Sequence, residues 1–141
     1  MIDQNLIFIP LLAQVLLTAI VYFWMFKTRI AEMKHSRINP QRLATAAEGV
    51  ELLKAVAGPA DNFKNLFEVP TLFYVAAITL YVTQMVDITF LILSVVFVFF
   101  RYIHSFIHIT YNHVMHRFSA YLVSTLTLWL MWVMIGIRLF A

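Results

Sequence analysis

Four long apolar stretches divide the chain, at about residues 5–26, 62–86, 88–110 and 117–139. Each is long enough to cross a bilayer as a helix, which takes about 20 residues at 1.5 Å per residue. They lack the two-residue alternation of a barrel wall and exceed the length of a buried strand. A bilayer interior leaves backbone groups no water to bond, so helices are the conformation that satisfies them. The pattern predicts an all-α, four-helix transmembrane bundle formed as a single domain over residues 1–141. Gln84-Met85-Val86-Asp87 reads as a tight turn that makes spans two and three an antiparallel hairpin.

The long polar segment is the connector, about residues 27–61. Asn39 with Pro40 at the first turn reads as a helix start, and Gly58-Pro59 as its stop. Leu43, Ala46, Ala47, Val50 and Leu53 then share one face, opposite Glu48 and Glu51, which predicts a short amphipathic helix resting on the membrane or the bundle.

Composition agrees with the pattern. The chain is 62% hydrophobic and 12% charged, against about 45–50% and 25% in soluble domains, and no stretch is left for a separate soluble catalytic domain. The net charge of +3 does not imply nucleic acid, because the basic residues are few and dispersed rather than gathered on one face. They read as topology signals. Lys27, Arg29, Lys34, Arg37, Arg42, Lys54 and Lys64 lie in or beside the connector, whereas the opposite side carries only Arg138. By the positive-inside rule the connector faces the cytoplasm and both termini lie on the other side. The N-terminal run lacks the basic start of a cleaved signal peptide and is expected to remain as the first span. Trp24, Trp129 and Trp132 suit interfacial anchors. With no cysteine, the chain has no thiol for disulfide, nucleophile or metal ligand.

An ionisable group within a span costs about 2.5–3.5 kcal/mol at the helix centre, so the polar residues there call for a reason. In span two, Asn65 and Glu68 are three residues apart on one helical face, and Pro70 frees a carbonyl one turn upstream. In span three, with Arg101 at zero, His104 falls near −60°, His108 near −20°, Tyr111 near −80° and Asn112 near +20° at about 100° per residue. They make one polar stripe. Arg117 opens span four at the same level. Carboxylate, amide, imidazole, phenol and two guanidinium groups at one depth suit a small ligand with carboxylates for the arginines and an amine for the glutamate. A guanidinium also favours a thiolate, which the ligand would have to bring.

Asn65-x-x-Glu68 followed by Pro70, together with Arg101-x-x-His104 and Arg117, resembles the motifs of the MAPEG family, the membrane-associated proteins of eicosanoid and glutathione metabolism. The resemblance covers nearly the whole chain and is that of a divergent, bacterial-type member. It implies a homotrimer with glutathione as cosubstrate between subunits, and a transferase or peroxidase acting on a lipophilic electrophile. By the same resemblance Asn65 and Glu68 hold the glutamyl part, Arg101 and His104 contact carboxylate or backbone groups with His108 and Tyr111 beside them, and Arg117 stabilises the thiolate. Two positions depart from the family. Asp61 stands where the active eicosanoid enzymes carry arginine, with Lys64 as a partial replacement, and His108 stands where a tyrosine is usual.

Two other readings follow from the same residues. A metal or haem could be held by His104, His108, His113 and His116, but no acidic residue or cysteine lies nearby in sequence and span four offers no second histidine, so no metal site is expected. A lipid- or partner-binding protein without catalysis would use the same fold.

Overall fold

The computed structural model describes residues 2–140. Helices and short 3-10 turns make up the ordered elements, with no strand among the described residues. A 3-10 turn at Gln4–Ile7 leads into α1 (Phe8–His35), the connector carries α2 (Ala46–Leu52), and α3 (Ala57–Asn65), α4 (Val69–Val82), α5 (Ile88–Ile109) and α6 (Val114–Phe140) follow. Four segments are long and apolar enough to cross a membrane: Gln4–His35, Lys54–Val82, Ile88–Ile109 and Val114–Phe140. The protein is therefore a multi-pass integral membrane protein. One end of the bundle holds the Gln4–Ile7 turn, the last turn of α6 and the 83–87 turn, here the terminal end. The other holds the connector and the 110–113 turn, here the connector end.

α1 runs about two turns past residue 26, where the apolar stretch ends, because Ala31, Glu32, Met33 and Lys34 are good helix formers. The connector departs from the sequence reading. Asn39 caps only a 3-10 turn, Pro40–Leu43, through its side chain on the Gln41 N–H at 3.0 Å. The α-helix starts afresh at a capping box, with the Glu48 N–H donating to Thr45 Oγ1 and the Thr45 N–H to the Glu48 carboxylate. Gly58-Pro59 does not stop a helix. Pro59 occupies the first turn of α3, where its missing N–H would have had no intrahelical partner.

Span two is broken rather than continuous. α3 ends at Asn65 and α4 begins at Val69, with Glu68 at φ −91°, ψ −99° between them. The cause is Pro70, whose ring disfavours helical geometry upstream and cannot donate to the preceding turn. The 83–87 turn reverses the chain as expected, with Gln84 at φ 57° and the Met85 N–H bonded to the Leu80 carbonyl at 2.9 Å. The hairpin is nevertheless loose. The α4 backbone lies closer to α6 and α1 than to α5, and it reaches α5 through Phe73 stacked on Phe97, ring centroids 4.6 Å apart.

α5 and α6 form the tightest helix pair. Toward the terminal end the core is apolar: Phe73, Ala76, Ala77 and Leu80 of α4 meet Phe90 and Phe97 of α5 and Leu128, Met131 and Ile135 of α6. Gln4 clamps the 83–87 turn, accepting from the Val86 N–H at 2.9 Å and donating to its carbonyl at 3.1 Å. Asp87 caps α5 through the Phe90 N–H and pairs with Arg138 at 2.6 Å. Long apolar side chains such as Ile9, Phe99 and Val133 remain exposed around the bundle, as suits a surface in contact with lipid.

Candidate functional site

The connector half of the bundle is built differently. The last three turns of α5 carry Arg101, His104, Ser105 and His108, all buried, at the i, i+3, i+4 and i+7 spacing that puts them on one helical face. α3 lies across the end of this face. It comes close because residue 58 is glycine, where a Cβ would sit 3.2 Å from the His108 carbonyl oxygen. α6 supplies Arg117 and Tyr121 from the opposite side.

Arg101 is 0% exposed. Its Nη2 donates to the Asn65 carbonyl at 3.1 Å, and its guanidinium carbon lies 5.7 Å from the centre of the Tyr121 ring. The arginine thus ties down the end of α3 where the proline break begins. Its Nε and Nη1 have no partner. Asn62, also fully buried, accepts from Ser105 Oγ at 3.2 Å and leaves its Nδ2 unpartnered.

The histidine tautomers follow from their partners. His104 Nδ1 lies 3.0 Å from the Arg117 carbonyl oxygen. A carbonyl only accepts, so that nitrogen carries the proton and, in the neutral ring, Nε2 is the bare one. That Nε2 is buried without a partner. His108 is the reverse. Arg117 Nη1 donates to His108 Nε2 at 3.2 Å and to Asn112 Oδ1 at 2.7 Å, so His108 is neutral with its proton on Nδ1. The two rings meet edge to face, centroids 5.6 Å apart.

The sequence-predicted residues therefore divide. Arg101, His104, His108, Arg117 and the backbone of Asn65 come together. Glu68 lies in the break with its side chain exposed. Tyr111 leaves the stripe, because α5 ends at Ile109 and Asn112 turns at φ 47°. It is 58% exposed and its hydroxyl is 3.3 Å from His116 Nδ1. Asn62, Ser105 and Tyr121 belong to the site and were not singled out from sequence. Asn62 could have been, standing three residues before Asn65, and Tyr121 likewise, one helical turn after Arg117. Gln14 of α1 was missed as well. It is 0% exposed with neither amide atom partnered, and it follows Ala13, whose carbonyl takes the Tyr102 hydroxyl at 2.7 Å, which sets it at the depth of Arg101.

Among the described residues no three histidine, aspartate or glutamate side chains converge to hold a metal ion. Arg117 also occupies the His108 lone pair that a metal would need. The guanidinium groups of Arg101 and Arg117 and the Asn62 amide instead suit an anionic ligand, with the bare His104 Nε2 as an acceptor beside them, and Arg101 reaches the Asn65–Glu68 break through the Asn65 carbonyl.

The chain matches the model of the MAPEG family over residues 7–137. No curated protein and no solved structure matches it. With four membrane-spanning helices and the family's match running over nearly its whole length, the chain belongs to the MAPEG family.

Proposed function

We propose that the connector end binds glutathione and that the protein is a glutathione-dependent transferase or peroxidase acting on lipophilic electrophiles, assembled as a homotrimer. The carrying observation is the set of buried polar atoms without partners, Arg101 Nε and Nη1, Asn62 Nδ2 and His104 Nε2. Each such atom costs about 1–3 kcal/mol when left unsatisfied, so the cluster is suited to a ligand that satisfies it. The residues fit glutathione: Arg101 offers the N–H groups of its unpartnered Nε and Nη1 to a carboxylate, Asn62 an amide donor, and Glu68 an unpaired carboxylate for the ammonium group. The Asn65 side chain is half-buried beside them.

Arg117, held by His108 and Asn112, would favour the thiolate over the thiol. In transfer, the thiol gives up its proton and a sulfur lone pair forms the S–C bond. The electron pair of the broken bond goes to the leaving group or to an epoxide oxygen, which takes a proton. In peroxide reduction the thiolate attacks the O–O bond, the lipid hydroperoxide leaves as its alcohol, and a second glutathione completes the disulfide and releases water. The lipophilic partner would enter from the bilayer. The lysine and arginine asymmetry supports placing this end on the cytoplasmic side and both termini opposite.

Titration of the purified protein with glutathione, followed by ultraviolet thiolate absorbance, tests this reading. Saturable binding with a thiolate signal is expected, and Arg117→Ala should remove the signal while leaving binding. An absence of binding at millimolar glutathione would end it. Two features favour a second reading, a lipid- or partner-binding protein without catalysis on the same fold. Arg117 is already engaged by its own chain, and Asp61 stands where active eicosanoid enzymes carry arginine. Retained glutathione binding with no thiolate signal in the unmodified protein would support that reading.

A further inference from the structure

A cavity of about 390 Å³ lies at the connector end between α1, α2 and α3. Its volume is within the roughly 300–1,000 Å³ of small-molecule sites. Arg29, Lys54, Glu51 and Asp61 line it together with Val50 and Leu53. Two cations and two anions thus share one hollow, and yet none of them pairs with another. The ion pair found among the described residues is Arg138–Asp87, at the far end. Arg29 Nε is buried without a hydrogen-bond partner. Opposite charges held in one cavity without meeting are satisfied together by a ligand that carries both signs.

The depth indicates which ligand. Trp24 precedes Arg29 by little more than a turn and carries the Lys27 ammonium 5.2 Å from its ring centroid. An aromatic followed by basic residues at the end of a span marks the headgroup layer. Val50, on the cavity wall, is 73% exposed, an unfavourable place for valine in water and a suitable one against lipid. We propose that this cavity seats the headgroup of an aminophospholipid, with the phosphate at Arg29 and Lys54 and the primary ammonium at Glu51 and Asp61. None of Arg101, His104, His108 and Arg117 lines this cavity, and the proposal does not depend on the glutathione reading.

The test is native mass spectrometry of the full chain taken from micelles containing equal parts of phosphatidylethanolamine, phosphatidylcholine and phosphatidylglycerol. The phosphatidylethanolamine adduct should dominate by about tenfold, the scale of one charge-assisted hydrogen bond. Phosphatidylcholine lacks the donating ammonium and phosphatidylglycerol lacks the ammonium altogether. The Arg29→Gln/Lys54→Gln double variant should lose the adduct. Glu51→Gln, an exposed change that leaves the fold intact, should shift retention toward phosphatidylglycerol. Arg42→Gln, outside the cavity, and Arg117→Ala should change nothing. Equal retention of the three lipids, or an unchanged adduct in both the double variant and Glu51→Gln, would overturn the proposal. So would displacement of the lipid by millimolar glutathione, which would assign the cavity to a soluble zwitterion. Failure of the glutathione reading, seen as an absence of binding when the unmodified protein is titrated with millimolar glutathione, would leave lipid retention as it was.

Discussion

The two ends of the bundle handle polar groups in opposite ways. At the terminal end every charged side chain among the described residues has a partner. Gln4 closes both backbone groups of Val86, and Asp87 caps α5 while pairing with Arg138. Among described residues only uncharged groups lack partners toward that side, the Trp132 indole and, nearer mid-depth, the Thr125 hydroxyl. At the connector end a fully buried arginine has one hydrogen bond, and imidazole and amide nitrogens beside it have none. A membrane interior gives water little access to such groups, so the difference separates a closure that holds helices together from a cluster whose buried polar groups the chain itself leaves unpartnered.

The largest effect expected in breaking this contrast is at the terminal core. Phe73→Ala removes a buried ring stacked on Phe97 and should destabilise the protein by about 3–5 kcal/mol, measured by detergent-denaturant unfolding. Glutathione affinity of the folded fraction should be unchanged. Arg101→Met comes next and has the opposite sign. It replaces a buried cation that makes no direct ion pair with a side chain of similar length, so stability should rise by about 1–3 kcal/mol while glutathione binding is abolished. A loss of stability instead would make the connector end a structural closure like the other.

Asp87→Ala removes a helix cap and an ion pair whose members remain partly exposed. It should cost about 1–2 kcal/mol. The smallest effect is that of pH on the same group. Burial pushes the Asp87 carboxyl up, but the Phe90 N–H and Arg138 outweigh it and hold the carboxyl below its ordinary value. A carboxyl lowered in the folded state contributes stability that is fully present above its unfolded value, about 3.9, and is lost as pH falls through the folded one. Wild-type unfolding should therefore lose this contribution below about pH 4, and Asp87→Asn should flatten that part of the profile.

Much of this contrast was legible in the chain. Long apolar runs could only be helices in lipid, and Arg101, His104, His108 and Arg117 stood out because charge is expensive there. Other features were legible but passed over, such as the Thr45-x-x-Glu48 capping box. Tyr111 shows where periodicity fails: it extends the α5 stripe only if the helix continues, and α5 ends at Ile109. Glu68 shows the same limit. Its three-residue spacing from Asn65 implies a shared face, but Pro70 breaks the helix between α3 and α4 and leaves Glu68 exposed in the break. Gln14 was invisible as a site residue, since nothing in an apolar run says which face meets an arginine on another helix.

The sequence by itself determined the number of spans, the membrane as solvent and the residues whose burial demands a reason, because these follow from hydropathy and backbone hydrogen bonding within single segments. The tertiary structure alone decided which of those residues meet. It joined Arg101 to the Asn65 carbonyl, assigned opposite tautomers to two histidines one turn apart, and left four charges unpaired around the connector cavity. Each of those outcomes depends on how separate helices approach one another, and a one-dimensional pattern carries no information about that approach.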